Sequence, residues 1–468
     1  MAASSGNFAA ADFAPVAERM GAADLPDIVI RTFQHYYAQL AAGQTGLIPE
    51  ADIQPVAEVP GLDDITAEHV QIGTKALSHS ILLKLNGGLG TGMGLAKAKS
   101  LLTVKEGHTF LDIIAQQASL GGIPLVLMNS FSTRDDTLAA LTRYPELGQQ
   151  IPLDFLQHKV PKLRATDLSP ADWPADPELT WCPPGHGDIY TALVTSGMLD
   201  QLLDAGYRTA FVSNSDNLGA VMDPAILGYF VGENLPFLME VADRTEADKK
   251  GGHLAQSPTG QLLLRESAQC PPQDSEQFQD ITRHRFFNTN NLWLNLPVLR
   301  ELLDRQDGIL GLPMIRNAKT VDPRDKNSTP VFQLETAMGS AIGIFAGAGA
   351  LRIDHSRFAP IKKTNDLLDV RSDNYILTED FQVRANPQRQ LERVVIDLDP
   401  RHYGFIDQLD EHFPHGAPSL LGCERLTVQG DIYFGRDVVL TGVVEMHNDG
   451  TTPLSVPDGA LITGTWTG

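Results

Sequence analysis

The feature that most constrains this chain is a glycine-rich turn set directly behind a short apolar run. Ile81-Leu82-Leu83-Lys84-Leu85 leads into Asn86-Gly87-Gly88-Leu89-Gly90-Thr91-Gly92-Met93-Gly94, with Lys97 and Lys99 just beyond. An apolar run of this length, closed by glycine, predicts a buried strand ending in a loop. Five glycines among the eight residues Gly87 to Gly94 let the backbone approach a ligand closely and take positive φ. Successive N–H groups of such a loop cradle phosphate, and a following helix N-terminus adds favourable partial charge. Two common phosphate motifs do not fit. A P-loop needs a lysine straight after its last glycine, and the dinucleotide fingerprint needs G-x-G-x-x-G; the loop has neither.

The texture around the loop extends the prediction. A helical pattern follows at Phe110, Leu111, Ile113 and Ile114. Pro124 to Met128, Tyr207 to Val212 and Pro236 to Val241 read as further buried strands. Strands alternating with helices predict an α/β fold: a Rossmann-like mixed, mostly parallel sheet covered on both faces. Ligands in such sheets bind beyond the carboxyl ends of the strands, so the chemistry is expected in the loops that follow them. Residues 1–75 read as a polar helical segment, with Ile28, Ile30, Phe33, Tyr36, Tyr37 and Leu40 at helix-like spacing. After about Asn386 the pattern becomes alternating: Leu426, Val428, Ile432, Phe434, Val438, Leu440, Val443 and Val444, with turns at Gln429-Gly430, Gly435-Arg436 and Thr441-Gly442. This predicts a separate all-β module, a small solenoid without helices. The expected domains are therefore 1–75, 76–385 and 386–468.

The net charge of −22 over 468 residues argues against nucleic acid as a partner, because an acidic chain repels phosphate backbones. It also demands that any phosphorylated substrate meet a locally positive site built from a few lysines, backbone N–H groups or a metal. The three cysteines, Cys182, Cys270 and Cys423, are far apart and form no C-x-x-C, which fits a reducing compartment. Residues 1–20 carry no basic stretch followed by an apolar core, and the longest apolar stretch, Ala341 to Leu351, is too short to cross a bilayer. The expectation is a cytoplasmic protein with no membrane partner.

Several more segments carry chemistry. Phe155-Leu156-Gln157-His158-Lys159 offers a side-chain amide, both donor and acceptor. In Trp181-Cys182-Pro183-Pro184-Gly185-His186-Gly187-Asp188 two prolines stiffen a turn that presents His186. Ser213-Asn214-Ser215-Asp216-Asn217 closes a strand with a carboxylate, where such folds hold their ligands, and Mg²⁺ takes one or two carboxylates plus substrate phosphates. Phe287-Asn288-Thr289-Asn290-Asn291-Leu292-Trp293 supplies amides for hydroxyls. Gln333-Leu334-Glu335 and Ile361-Lys362-Lys363-Thr364 complete the set.

These segments, in this order and with Ala98-Lys99-Ser100 and Thr109-Phe110-Leu111-Asp112, resemble the UTP–glucose-1-phosphate uridylyltransferases, from about Ile81 to the end of the chain. Two departures are visible: Gly92 stands where Ser or Thr is more usual, and Lys97-Ala98-Lys99 replaces Gly-Pro-Lys. The resemblance implies a nucleotidyltransferase fold of the GT-A-like kind with a C-terminal left-handed β-helix. It implies UTP and glucose 1-phosphate as substrates and Mg²⁺ as cofactor. Leu85, Asn86, Gly87, Gly88, Met128, Gln157 and Gly185 are then expected at the nucleotide, with Gln157 reading the base. His186, Asn214, Ser215, Asn290, Asn291 and Glu335 are expected at the sugar phosphate. Lys99, Lys362 and Asp216 are the expected catalytic residues, Asp216 also holding the metal. The alternatives are a related enzyme acting on several sugar phosphates or on an N-acetylhexosamine, and a nucleotide-sugar-binding protein without turnover. The former relatives usually carry Arg where Gly92 stands. An exposed solenoid end invites end-to-end contact, so a homo-oligomer is expected to form through the C-terminal domain.

Overall fold

The apolar run at Ser80–Asn86 lies in the middle of a ten-stranded sheet, flanked on both sides by parallel neighbours, Thr209–Asn214 and Leu125–Asn129. The computed structural model describes residues 11–468; the first ten residues, part of the stretch read as lacking a signal peptide, lie outside the described residues. Asp154–Leu156 adds a further parallel strand next to Leu125–Asn129. Every residue of Leu125–Asn129 is buried, as a strand covered on both faces requires. The helix Phe110–Gly121 connects these strands and begins with a capping box: the Asp112 backbone N–H donates to Thr109 Oγ1 at 3.0 Å, and the Thr109 N–H donates to Asp112 Oδ2 at 3.0 Å. The segment Thr109-Phe110-Leu111-Asp112 is thus a helix start rather than a chemical group.

The sheet is mixed, as expected, but not mostly parallel. Phe286–Asn295 runs antiparallel to both Thr209–Asn214 and Phe237–Asp243, and His253–Gln256 pairs antiparallel with Leu262–Arg265. For the hairpin the physical reason is the length of the connection. A parallel pair needs a crossover of a dozen or more residues, and the turn between Gln256 and Leu262 can only make a hairpin. A parallel pair returns at Phe237–Asp243 with Gly349–Arg352.

In the N-terminal region, the helix Asp27–Ala41 buries Val29, Phe33, Tyr36, Tyr37 and Leu40. Val29, not Ile28 or Ile30, leads the buried stripe. Ala67–Ala76 packs so closely on Pro224–Gly232 that a Cβ on Gly73 would fall 1.7 Å from the Pro224 carbonyl oxygen. Gln54–Pro55 joins the edge of the large sheet.

After Asn386, four parallel strands stack in the order Val395–Leu398, Ser419–Gln429, Val439–His447, Leu461–Trp466, with Ile432–Phe434 and Leu454–Val456 forming a second parallel pair. The expectation of a module without helices is corrected by Pro400–Tyr403 and Ile406–His412. Their signals are local. Asp399 caps the first through the Arg401 N–H, Pro400 fits the first helical position, and Ile406 and Leu409 are buried on one helix face. The module's core continues into the catalytic region: Met93 of the glycine loop and Leu367 and Leu368 of the helix Thr364–Arg371 share it with Leu398, Tyr403 and Leu426. All three cysteines are free thiols. Among the described residues no helix is long and apolar enough to cross a membrane.

Candidate active site

The glycine loop leaves its strand at Asn86 and returns to its own root. The Lys99 N–H donates to the Gly88 carbonyl at 3.1 Å, and Leu89 bridges Ala98. Gly94 makes the tight turn at φ +78°. This closure carries Lys99 back to the carboxyl edge of the sheet. Gly92 has nothing within 4 Å of a notional Cβ, so the departure from Ser or Thr there leaves the packing unchanged.

Three loops meet at this edge. A Cβ on Gly87 would lie 2.9 Å from Gln157 Oε1, and Gln157 Nε2 donates to the Gly185 carbonyl at 3.0 Å. Gly185 sits at φ +82°, where a Cβ would fall 2.4 Å from the Thr336 carbonyl oxygen. Backbone from the first and third loops therefore flanks one amide side chain. A side chain at either glycine would collide with protein atoms, so only glycine permits this close approach, and the amide keeps its oxygen and one N–H for a ligand. Gly88 is open to the same edge. Three residues predicted for the nucleotide lie beneath it. Asn86 is buried and donates to Asn129 Oδ1 at 2.8 Å and Thr137 Oγ1 at 2.9 Å. Met128 is buried in the core, and Leu85 packs against the same cluster while its carbonyl accepts the Ser215 N–H. Their role in the structure is to hold the strand ends together.

Gly185→Ala is expected to push this loop off Thr336 and to lower kcat/KM by about 10²-fold, the cost of misplacing binding groups by about 1 Å. The circular dichroism spectrum should stay native. Unchanged steady-state kinetics would show that the loop's close approach is unnecessary.

The charged groups meet beside the slot. Lys99 Nζ donates to Asp216 Oδ2 at 2.6 Å. The Ile361 N–H donates to the Asp216 carbonyl at 3.3 Å, and Asn217 bridges Pro360, so the segment carrying Lys362 lies against the loop carrying Asp216. Lys362 is exposed, its ammonium 5.8 Å from the centre of the Phe358 ring, and its own N–H caps the following helix through Asp366 Oδ2 at 2.8 Å. Asn214 ends its strand, and Ser215 is buried beside Asp216. Two ammonium groups and one carboxylate thus converge on the carboxyl edge of an otherwise acidic protein.

His186 accepts the Met338 N–H on Nδ1 at 3.0 Å. Nε2 therefore carries the ring proton and is the free donor. Desolvation lowers this imidazole to about 4, so it stays neutral at neutral pH. Asn290 lies at a β-bulge where the pairing shifts between Glu240 and Val241, and takes φ +59°. Bulges re-aim side chains, and this one turns the predicted asparagine segment out of the ladder. The segment is a central strand, not a loop. Asn291 is fully buried. Its amide donates to Glu240 Oε2 at 3.0 Å and to the Arg357 carbonyl at 3.2 Å, while its oxygen accepts from Asn217. These bonds leave it holding the frame. Glu335 lies on Pro330–Thr336 beside Gly185, and burial raises its carboxyl above the usual range.

Five residues to which the sequence reading gave no role build the floor. Glu240 and Arg357 form a buried bidentate pair at 2.7 and 2.9 Å, and the Trp293 indole N–H donates to Glu240 at 3.0 Å. Asn217 accepts the Ala359 N–H at 3.0 Å and donates to the Arg357 carbonyl at 3.1 Å, tying the Asp216 and Lys362 segments together. Lys84 is buried in the central strand, donating to Ser213 Oγ at 2.6 Å; burial, reinforced by Arg357, lowers it to about 7. A lysine inside an apolar strand and a carboxylate inside another were the available signals.

A mixed α/β sheet with a phosphate-type glycine loop, a lysine paired to a carboxylate at its carboxyl edge and a second lysine on the adjoining segment, fits a nucleotidyltransferase. The model of the family described as UTP–glucose-1-phosphate uridylyltransferase matches residues 30–441. The chain is 40% identical over 395 residues to the UTP–glucose-1-phosphate uridylyltransferase of Pyrus pyrifolia, covering 83% of this chain and 82% of that one. It is 38% identical to that of Saccharomyces cerevisiae over 393 residues, 82% and 77% of the two chains. A UDP-glucose pyrophosphorylase variant of Leishmania major, solved with UDP-glucose, superimposes with a TM-score of 0.88 at 44% identity, over 97% of this chain and 98% of that one. The chain belongs to the UTP–glucose-1-phosphate uridylyltransferase family.

Proposed function

We propose that this protein transfers the uridylyl group of UTP to glucose 1-phosphate, releasing pyrophosphate. The observation that carries the reading is the meeting of the Gly87–Gln157–Gly185 slot with the Lys99–Asp216 pair on one sheet edge. Gln157 reads the uracil edge, Gly87 and Gly185 admit the base, and Gly88 lets a phosphate approach the backbone. A phosphate oxygen of the sugar 1-phosphate attacks the α-phosphorus, forming the new P–O bond as the bond to the β-phosphate oxygen breaks. Phosphate is already an anionic nucleophile, so no side chain need take a proton from it. Lys99 and Lys362 stabilise charge that grows in the transition state, and His186 donates from Nε2 to the sugar phosphate. Asn214, Ser215, Asn290 and Glu335 line the sugar side.

Asp216 fits a Mg²⁺ ion. It is the carboxylate paired to Lys99, Lys99 engages only its Oδ2, and Mg²⁺ is commonly held by one or two carboxylates plus substrate phosphates. When bound, the ion would neutralise phosphate charge. The finer assignments follow from the same reading. They are a catalytic domain over 76–385 behind an N-terminal segment 1–75, a left-handed β-helix over 386–468, a cytoplasmic location, and self-association through the last rung of strands. The parallel stacking and Leu461, 73% exposed on that rung, support the last two structural points.

The test is pyrophosphate release from UTP and Mg²⁺ across a panel of sugar 1-phosphates, with Asp216→Ala as control. Strong turnover with glucose 1-phosphate, lost in the control, is expected. Comparable turnover with several sugars would widen the substrate class, and no turnover by protein that binds UTP would overturn the reading.

A further inference from the structure

We propose that the C-terminal module carries a second divalent-metal site, formed by His402, His412 and Asp431 and suited to a borderline transition ion such as Zn²⁺. Each residue offers one donor atom, and the three atoms lie within 4.8 Å of one another. They come from three places: His402 on the helix Pro400–Tyr403, His412 at the end of Ile406–His412, and Asp431 in the turn before Ile432–Phe434.

The decisive detail is the orientation of His412. Its Nδ1 lies 2.7 Å from the Gln408 carbonyl oxygen. A carbonyl only accepts, so Nδ1 carries a hydrogen and Nε2 is the ligating nitrogen of the neutral ring. This is the outer hydrogen bond that metal-binding histidines use to fix their tautomer. Nε2 then faces Asp431 Oδ1 at 3.0 Å. Two lone pairs at that distance repel unless a cation stands between them, either a second ring proton or a metal. The third donor, His402, sits with its ring centre 6.1 Å from that of His412. A lone histidine–aspartate ion pair has no use for it.

The surroundings are stiff. The His412 ring is buried, stacked on Tyr433 at 4.4 Å and flanked by Tyr403 at 4.6 Å. His402 and Asp431 are only half-buried, which leaves an entry path and room for water as a fourth ligand. Two imidazoles and one carboxylate suit Zn²⁺ and its neighbours and not Mg²⁺, which demands six oxygens. With Zn–N distances of about 2.0–2.1 Å, donors of a tetrahedral shell lie roughly 3.3 Å apart; the His412–Asp431 pair already stands at 3.0 Å, and the His402 nitrogen closes in from within 4.8 Å when the ion binds. The bound ion would staple the helix pair to the strand stack.

The test uses the full chain freed of metal by a chelator and then titrated with Zn²⁺ in the presence of excess Mg²⁺. Bound zinc is counted by calorimetry and by elemental analysis after dialysis. Wild type is expected to hold one more equivalent than His402→Ala and one more than Asp431→Asn. Its Co²⁺ form should show tetrahedral d–d absorption that both variants lack. Both substitutions lie at half-buried positions, and a native melting curve of each without metal excludes misfolding; a variant failing that check is replaced by His402→Gln. Equal zinc stoichiometry in wild type and variants would overturn the proposal, whatever the uridylyltransferase activity.

Discussion

Asp216→Ala and Lys99→Met should each lower kcat by about 10²–10³-fold while leaving the KM for UTP within a few-fold of wild type. Removing one preorganised charge aimed at a developing charge costs this much in other enzymes. The geometry makes the two effects interdependent. Lys99 Nζ rests on Asp216 Oδ2 at 2.6 Å, so deleting the carboxylate also releases the lysine. The double variant is therefore expected to be little worse than either single one, because groups that act as a unit are strongly non-additive. Lys362→Ala stands apart. Its ammonium rests over Phe358 and not on Asp216, so its loss should multiply with either of the others. Steady-state kinetics on the four variants decide the matter. A full kcat in Lys362→Ala would remove it from the chemistry, and a KM effect without a kcat effect would make Lys99 a binding group only.

Breaking the Arg357–Glu240 pair should destabilise the fold by about 3–5 kcal/mol, the usual cost of leaving one buried charge without its partner. Glu240 is fully buried, and both of its oxygens bond the Arg357 guanidinium. Glu240→Gln keeps an acceptor for the Trp293 indole yet leaves the guanidinium uncompensated. Arg357→Met leaves the carboxylate. Each should lower the midpoint of chemical denaturation markedly. The double replacement Arg357→Met with Glu240→Leu should cost less than the sum, because no buried charge is left over. Activity in the folded fraction should also fall, since Arg357 lies just before the residues that carry Lys362, and its carbonyl is held by Asn217 and Asn291. A denaturation midpoint unmoved by either single change would show that the pair is solvated and contributes little.

The two predictions draw on different kinds of legibility. Lys99, Asp216 and Lys362 stood in recognisable segments, each at the end of a strand or start of a helix. Glu240 stood inside a run read as a buried strand and Arg357 at the head of the segment that carries Lys362, and neither was given a role; their pairing joins residues 117 positions apart. Gln157, Gly87 and Gly185 were legible one by one, but not the slot they form. Met128, Asn86 and Asn291 show the reverse. They sit in the expected segments with their side chains buried, a placement set by neighbours far apart in the chain that no local pattern encodes.

By itself the sequence determined the parts whose signals are local. A buried strand must precede the glycine loop, since apolar runs need burial. The loop must be close-packed backbone, since only glycine permits it. The stretch from about residue 419 onward must stack as short strands, since alternation with frequent turns allows little else. The tertiary structure decided what depends on distance across the fold. It set the antiparallel half of the sheet, where strands far apart in the chain pair. It set the bulge that turns Asn290 outward, the buried charges beneath the site, and the three-loop slot. These arise when segments far apart in the chain are pressed together and every buried polar group must find a partner, a condition no local pattern encodes.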